Sequence, residues 1–272
     1  MTPLTGSPRW ADALHVHDFA ERRDGRRRRW LARALLVLAL SCAAGVPLQV
    51  ASAAAATVKW RGNFDDCAIP GQWDLFSREV GSITVERGTV FEGDCAARVV
   101  QGPTSAQRRV ELQSHDRAKG GMPVPSEAWY QLRYFPISLS PPTEGSRTAH
   151  FNQFRNDTPC YTGGIDADPA GANPDRWKLA VVSGSGCGSV TRYDLGTIRY
   201  GAWNTILLHY KWSRGSDGFV EAWVDGVHEL HKIYRATTNG GATRINFRVG
   251  IYAASHPGTT QYITDGNAVL YP

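Results

Sequence analysis

Gly218-Phe219-Val220-Glu221-Ala222-Trp223-Val224-Asp225-Gly226 is the stretch on which the fold reading turns. Aromatic and β-branched residues run straight into Asp-Gly, the dipeptide best suited to the positive φ angles of a two-residue hairpin turn. Outward from it the same texture recurs. Ser82–Glu86, Ala97–Val100, Arg109–Leu112 and Trp129–Tyr134 are short alternating runs. Ala149–Arg155, Trp177–Val182, Asn204–Trp212, Asn246–Tyr252 and Ala268–Leu270 follow, punctuated by glycine, proline and aspartate. No long stretch repeats at the helical period. Ten or more short strands within residues 57–272 predict one all-β domain, a sandwich or barrel.

The first 56 residues read as a leader. Arg26-Arg27-Arg28-Arg29-Trp30 precedes an apolar run from Leu31 to Val50, and Ala51-Ser52-Ala53 has the small-x-small form of a signal-peptidase site. A membrane anchor is the competing reading, but Gly45 and Pro47 interrupt the roughly 20 apolar residues a span wants. Arg27-Arg28-Arg29-Trp30-Leu31 also has twin-arginine spacing, and Ala39-Leu40-Ser41-Cys42 is a weak lipoprotein-type alternative. The leader carries eight Lys+Arg against four Asp+Glu, which leaves 22 against 21 in the remainder. A nearly neutral body argues against a nucleic-acid partner, since phosphate binding needs a basic surface. The expected product is a secreted monomer, free of the membrane once the leader is removed. Four cysteines remain in it, and an even number in an exported chain predicts disulfides. Cys67–Cys95 and Cys160–Cys187, each closing a local segment, are the preferred pairing; no paired spacing suits zinc.

Strand parity then sorts side chains by face. Arg109 and Glu111 share one face, with Val110 and Leu112 behind. Phe151, Gln153 and Arg155 share another, opposite His150, Asn152 and Phe154. Arg248, Gly250 and Tyr252 share a third, with Phe247, Val249 and Ile251 behind. A wet sheet face made of arginine, glutamate, glutamine and tyrosine would suit a polyanionic or sugar ligand.

These strands resemble the jelly-roll polysaccharide lyases, the broad group holding alginate lyases, glucuronan lyases and the heparin lyase I family. Arg109-Val110-Glu111-Leu112 is similar to the R-x-E-L/V strand. His150–Arg155 is similar to the strand that carries Q-x-H, and Asn246–Tyr252 to Y-F-K-x-G-x-Y. Trp203–Ser213 followed by Gly218–Gly226 resembles W…H-x-K-W-S…G-x-V-E-x-W-x-D-G, and Tyr262–Gly266 the closing Y-x-D-G segment. The resemblance implies a concanavalin-like jelly roll of two antiparallel sheets, with a concave face forming the cleft. It also implies β-elimination on an acidic, uronic-acid-containing polysaccharide, chemistry that needs no cofactor.

By resemblance, Gln153 and Arg109 donate to the substrate carboxylate and Tyr252 gives or takes protons. Glu111 orients Arg109, and Arg248 holds further carboxylates through its planar fork. One departure matters. Arg155 stands where the family has the histidine of Q-x-H, and an always-protonated guanidinium cannot be a base, although it can neutralise a carboxylate. Either Tyr252 serves as both base and acid, or a histidine elsewhere takes the role. His115, near a strand end, is the candidate that could reach the cleft. His150 faces the other way on a regular strand and enters only through a bulge. His209 reads as a buried structural histidine.

Two other classes stay open. A non-catalytic carbohydrate-binding jelly roll would keep the groove without the chemistry. A glycoside hydrolase would need two facing carboxylates, with Glu221 and Glu229 flanking the hairpin turn as candidates; Phe219 and Trp223, beside Glu221, read as core. Asp65-Asp66 and Asp166-x-Asp168 could hold a structural calcium, though such pairs are usually solvated loops. No catalytic metal site is expected. The glycine- and proline-rich Asn156–Asp175 stretch is read as a loop walling the cleft.

Overall fold

The structure, a computed structural model, describes residues 57–114, 122–124, 126–141, 149–157, 160–168, 175–184 and 187–271. The expected leader lies outside them, as does His115. The strands are β1 (Thr57–Gly62), β2 (Trp73–Arg78), β3 (Gly81–Glu86), β4 (Ala96–Gln101), β5 (Arg108–Ser114) and β6 (Met122–Pro123). Then come β7 (Ser126–Ser138), β8 (Ala149–Asn156), β9 (Tyr161–Asp168), β10 (Arg176–Ser183), β11 (Ser189–Thr197) and β12 (Asn204–Trp212). The last five are β13 (Phe219–Val224), β14 (Val227–Tyr234), β15 (Arg244–Ala253), β16 (Thr260–Thr264) and β17 (Asn267–Tyr271). No helix among the described residues is long and apolar enough to cross a membrane.

The strands form two antiparallel sheets, as the alternating runs predict. The first runs β14-β13-β12-β7-β16-β4-β3, with β17 on β7 and β1 on β17. The second runs β11-β10-β9-β8-β15-β5-β2, with β6 on the end of β15. Asp225 and Gly226 make the turn between β13 and β14 with φ angles of 51° and 83°, the left-handed pair a two-residue hairpin requires.

An aromatic layer fills the space between the sheets. Tyr130, Tyr134, Tyr210, Trp212 and Tyr262 come from the first sheet, and Trp73, Phe151, Phe154, Trp177 and Phe247 from the second. Phe154 alone packs against Tyr130, Tyr210, Trp212 and Phe247. Several polar tips find partners within the layer. Trp212 Nε1–H donates to the Tyr130 hydroxyl (2.7 Å) and Trp177 Nε1–H to Asn204 Oδ1 (3.0 Å), which removes much of the cost of burying them. Val249 and Ile251 are buried on the same side, as parity requires.

Both disulfides form as paired from the sequence, with Cα–Cα distances of 5.3 Å for Cys67–Cys95 and 4.9 Å for Cys160–Cys187. The second ties the residue before β9 to the β10–β11 connection.

Two expectations need correction. The Asn156–Asp175 stretch is not a loop, because Tyr161–Asp168 is strand β9, paired with β8 on one side and β10 on the other. Its glycines mark close backbone approach rather than a break. A Cβ on Gly164 would lie 2.1 Å from the Asn152 carbonyl oxygen, and one on Gly163 would lie 2.5 Å from that of Ala180. Nor do Phe219 and Trp223 face the core. Val220, Ala222 and Val224 do, which turns Phe219, Glu221 and Trp223 to the outer face of the first sheet.

Candidate active site

The polar face of the second sheet is a grid that can be read off the strand register. One row crosses six strands as Arg109, Tyr252, His150, Asp166, Lys178 and Asp194, each the pairing partner of the next. A second row places Gln113 opposite Arg248 and Arg248 opposite Gln153. Glu111 lies between the rows, opposite Gly250, and Arg155 pairs with Asn246 at the far side. The sequence expectation that Arg109, Glu111, Gln153, Arg155, Arg248 and Tyr252 share one surface therefore holds.

His150 belongs to this surface, contrary to simple alternation. Ala149 and Phe151 point into the core, then Phe154 does, so the parity changes at Asn152. The registers of β8 with β9 and with β15 both shift across this segment. A bulge re-aims the side chains beyond it. It sends Phe151 inward, where parity had put it in the cleft, and lays His150 against Tyr252 with ring centroids 5.7 Å apart. Asn152 Nδ2–H donates to the Arg248 carbonyl oxygen (2.7 Å) and pins the irregular segment.

His150 Nδ1 lies 2.5 Å from Asp166 Oδ1, and Arg192 Nε–H donates to Asp166 Oδ2 at 2.9 Å. The Tyr161 hydroxyl sits 3.5 Å from both His150 Nδ1 and Asp166 Oδ1. Burial first, and the Asp166 charge next, hold Tyr161 well above the usual phenol range, so it stays a neutral donor. On the other side of Tyr252, the Arg109 guanidinium covers the ring at 4.4 Å from its centroid. Arg109 is in turn held 3.7 Å from Glu111 and 3.6 Å from Glu79. Glu111 thus sits where it can orient Arg109. Burial pushes the Glu111 carboxyl above its ordinary value, while Arg248 and Arg109 pull it back down.

Two carboxamides complete the floor. Gln153 Oε1 and Gln113 Nε2 are buried and have no hydrogen-bond partner among the described residues, while Gln113 Oε1 accepts from Arg248 Nε (3.0 Å). Buried polar atoms of this kind are costly unless something completes them. Desolvation, then the neighbouring Arg109 charge, draws Arg155 below the ordinary arginine value; such a guanidinium gains from an incoming anion.

Among non-arginine titratable groups the sequence reading placed Tyr252 and Glu111 here, with His115 as a candidate to reach the cleft. The structure adds His150, Asp166 and Tyr161, together with Gln113. Asp166 had been noticed as half of a calcium-type pair in a loop; it is a wholly buried strand residue whose oxygens face His150 and Arg192. Gln113 was legible by parity from Arg109 and Glu111.

The hydrolase candidates do not meet. Glu221 faces His209 (2.7 Å) and Lys232 (3.2 Å) on the outer face of the first sheet, whereas Glu229 is exposed beside Gly196 of β11. His209, expected to be structural, is buried between Glu221 and Glu127 with its ring stacked on Trp129 at 3.8 Å.

Comparison with known proteins agrees with this picture. No curated protein matches the chain. An endo-β-1,4-glucuronan lyase from the fungus Trichoderma reesei superposes with a TM-score of 0.66 at 21% identity, covering 79% of this chain and 96% of that one. A cellulose-induced protein superposes with a TM-score of 0.54 at 11% identity, covering 77% and 95%. An alginate lyase of polysaccharide lyase family 7 gives 0.51 at 14% identity, covering 76% and 98%. These likenesses establish the two-sheet jelly roll, and the sequence itself matches the polysaccharide lyase family over residues 62–268. With the match spanning most of its length, the chain belongs to the polysaccharide lyase family.

Proposed function

We propose that this polysaccharide lyase is a secreted monomer that cleaves a uronic-acid polymer by β-elimination at the His150–Tyr252 pair. The observation that carries the reading is the side-by-side placement of those two rings, register partners on a face that also holds Arg109, Arg155, Arg248 and Gln153. Export is supported by the two disulfides, which persist in oxidising compartments.

The chemistry follows from what a uronate requires. Its C5 proton is weakly acidic, and removing it spreads a second negative charge over the carboxylate. With Nδ1–H donating to Asp166, His150 keeps a lone pair on Nε2 and takes that proton. The electron pair left on C5 moves into the carboxylate as an enediolate. Arg109, Arg248, Arg155 and Gln153 meet it with donors fixed in advance; removal of one such donor costs about 3 kcal/mol of transition-state stabilisation. The C4–O4 bond then breaks as the C4–C5 double bond forms, and the Tyr252 hydroxyl gives its proton to O4. Exchange with solvent returns the proton from His150 and reprotonates Tyr252. Of the two alternatives the sequence leaves open, this assignment takes the histidine elsewhere, and it needs no histidine at position 155. No step requires a metal or an organic cofactor.

The test is a panel of glucuronan, alginate and glycosaminoglycans incubated with the purified protein. The expected result is a near-ultraviolet absorbance from the unsaturated uronate at the new non-reducing end. Reducing ends without that absorbance would indicate a hydrolase, and tight binding without any product a carbohydrate-binding module.

A further inference from the structure

Asp166 sits in the middle of β9 with no exposed surface. A carboxylate there is strongly unfavourable unless paired. The cation that reaches its second oxygen comes from the edge strand. Arg192 of β11 pairs with Ala180 of β10, which pairs with Gly164 of β9. Two small residues in line leave an open lane, along which the arginine crosses diagonally to Asp166 Oδ2. Lys178, directly opposite Asp166, is held at 2.7 Å by Asp194 and so is engaged elsewhere.

We infer that Arg192, acting through Asp166, is a positioning residue that fixes the His150 ring in the tautomer whose Nε2 faces the substrate. The inference rests on the proposed role of His150 as base. Asp166 can accept but not donate while ionised, so it holds a proton on His150 Nδ1. Arg192 holds the carboxylate by Oδ2, so that Oδ1 is presented to Nδ1–H. Without it the carboxylate can turn away from Nδ1, and the ring is free to carry its proton on Nε2, where a base is useless. The other charged or titratable groups facing this cluster are Arg109 and Glu111 from β5, Tyr252 from β15, Arg155 from β8, Tyr161 from β9 and Lys178 from β10. Among the hydrogen bonds and ion pairs that described residues make to Asp166, that from Arg192 alone brings a permanent positive charge.

The Arg192 side chain is 41% exposed but its partner is fully buried, so removing the cation costs stability as well as position, and Arg192→Lys, which keeps the charge, controls for that loss. The experiment compares Arg192→Met, Arg192→Lys, Asp166→Asn and His150→Ala, each assayed well below its own melting transition. In Arg192→Met, kcat is expected to fall about 10–100-fold with KM within about twofold, the pattern of an interaction felt only in the transition state. Arg192→Lys recovers most of the loss. Asp166→Asn, whose amide can hold the wrong tautomer, falls by about 10⁴ at most, the scale seen where an orienting aspartate is neutralised. Imidazole nitrogen resonances of His150 report the proton on Nδ1 in the parent and on Nε2 in Asp166→Asn and Arg192→Met. Normal kcat and an unchanged tautomer in Arg192→Met would overturn the proposal, as would a rise in KM alone, which marks a substrate contact. Full turnover in His150→Ala would instead remove the base assignment itself.

Discussion

Replacing Tyr252 with phenylalanine isolates one oxygen atom. The ring keeps its place beneath the Arg109 guanidinium, 4.4 Å from the centroid, and beside the His150 ring at 5.7 Å. Phenylalanine supports the same cation–π contact, worth about 0.5–1 kcal/mol where partly exposed, so the melting transition should move little. What disappears is the proton that Tyr252 is proposed to give the leaving O4. Positioned acid–base groups contribute about 10²–10⁴ in rate, equivalent to about 2.7–5.5 kcal/mol of barrier. Turnover should fall by that factor in the absorbance assay while KM stays nearly constant. A second substrate separates acid from base. A uronate carrying nitrophenolate at C4 expels an anion that needs no proton, so with it the Tyr252→Phe deficit should shrink to less than about tenfold. The His150→Ala deficit should persist, because the C5 proton must still be taken. Unchanged turnover in Tyr252→Phe on the natural polymer would refute the assignment. A deficit that survives the activated leaving group would refute the acid role and return Tyr252 to the base.

Other outcomes follow from the same structure. Asp265 is buried and receives backbone N–H groups of Phe91, Glu92 and Gly266, yet burial pushes its carboxyl up to about 7. The folded state therefore holds that proton more tightly than the unfolded chain. The associated stability is fully present below the unfolded value near 4 and is lost as pH rises towards 7, on the order of 4 kcal/mol. Asp265→Asn should flatten the melting temperature over that range. Gly164→Ala would place a methyl group 2.1 Å from the Asn152 carbonyl oxygen, prying β8 from β9 at the His150–Asp166 contact. It should cost about 1–3 kcal/mol by denaturant melt and depress turnover more than a core change of equal cost. Replacing Cys160 and Cys187 with serine opens a loop of sequence separation 27, worth about 3–4 kcal/mol in the chain-entropy picture, read as a shift in the urea midpoint.

The architecture was largely legible because alternation is a local signal. Val110 and Leu112 behind Arg109 and Glu111, or Val249 and Ile251 behind Arg248 and Tyr252, declare their faces within a few residues. β9 was illegible for the opposite reason. Gly163 and Gly164 carry the composition of a loop, and only the carbonyls of β8 and β10 pressed against them explain why glycine is there. His150 was misassigned by the same rule that succeeded elsewhere, since the irregularity at Asn152 is fixed by contacts with β15 and β9, not by its neighbours in sequence. Asp166 and Arg192 were unreadable as partners because the lane between them is cleared by residues of two other strands.

The place of β15 has a consequence for how the molecule comes into being. Residues 244–253 lie between β5 and β8, and among the described strands of the second sheet they are the sole link joining the β2–β5 pair to the β8–β11 block. The proposed site is divided by that seam: Arg109 and Glu111 on one bank, His150 and Asp166 on the other, Tyr252 on the strand between. The sheet cannot close while its late segment is still being made or translocated. Such long-range pairing is slow, because the loop-closure entropy must be met before any contact rewards it. Half-built chains are therefore inert towards the polysaccharide, and activity should appear in one step with the arrival of β15.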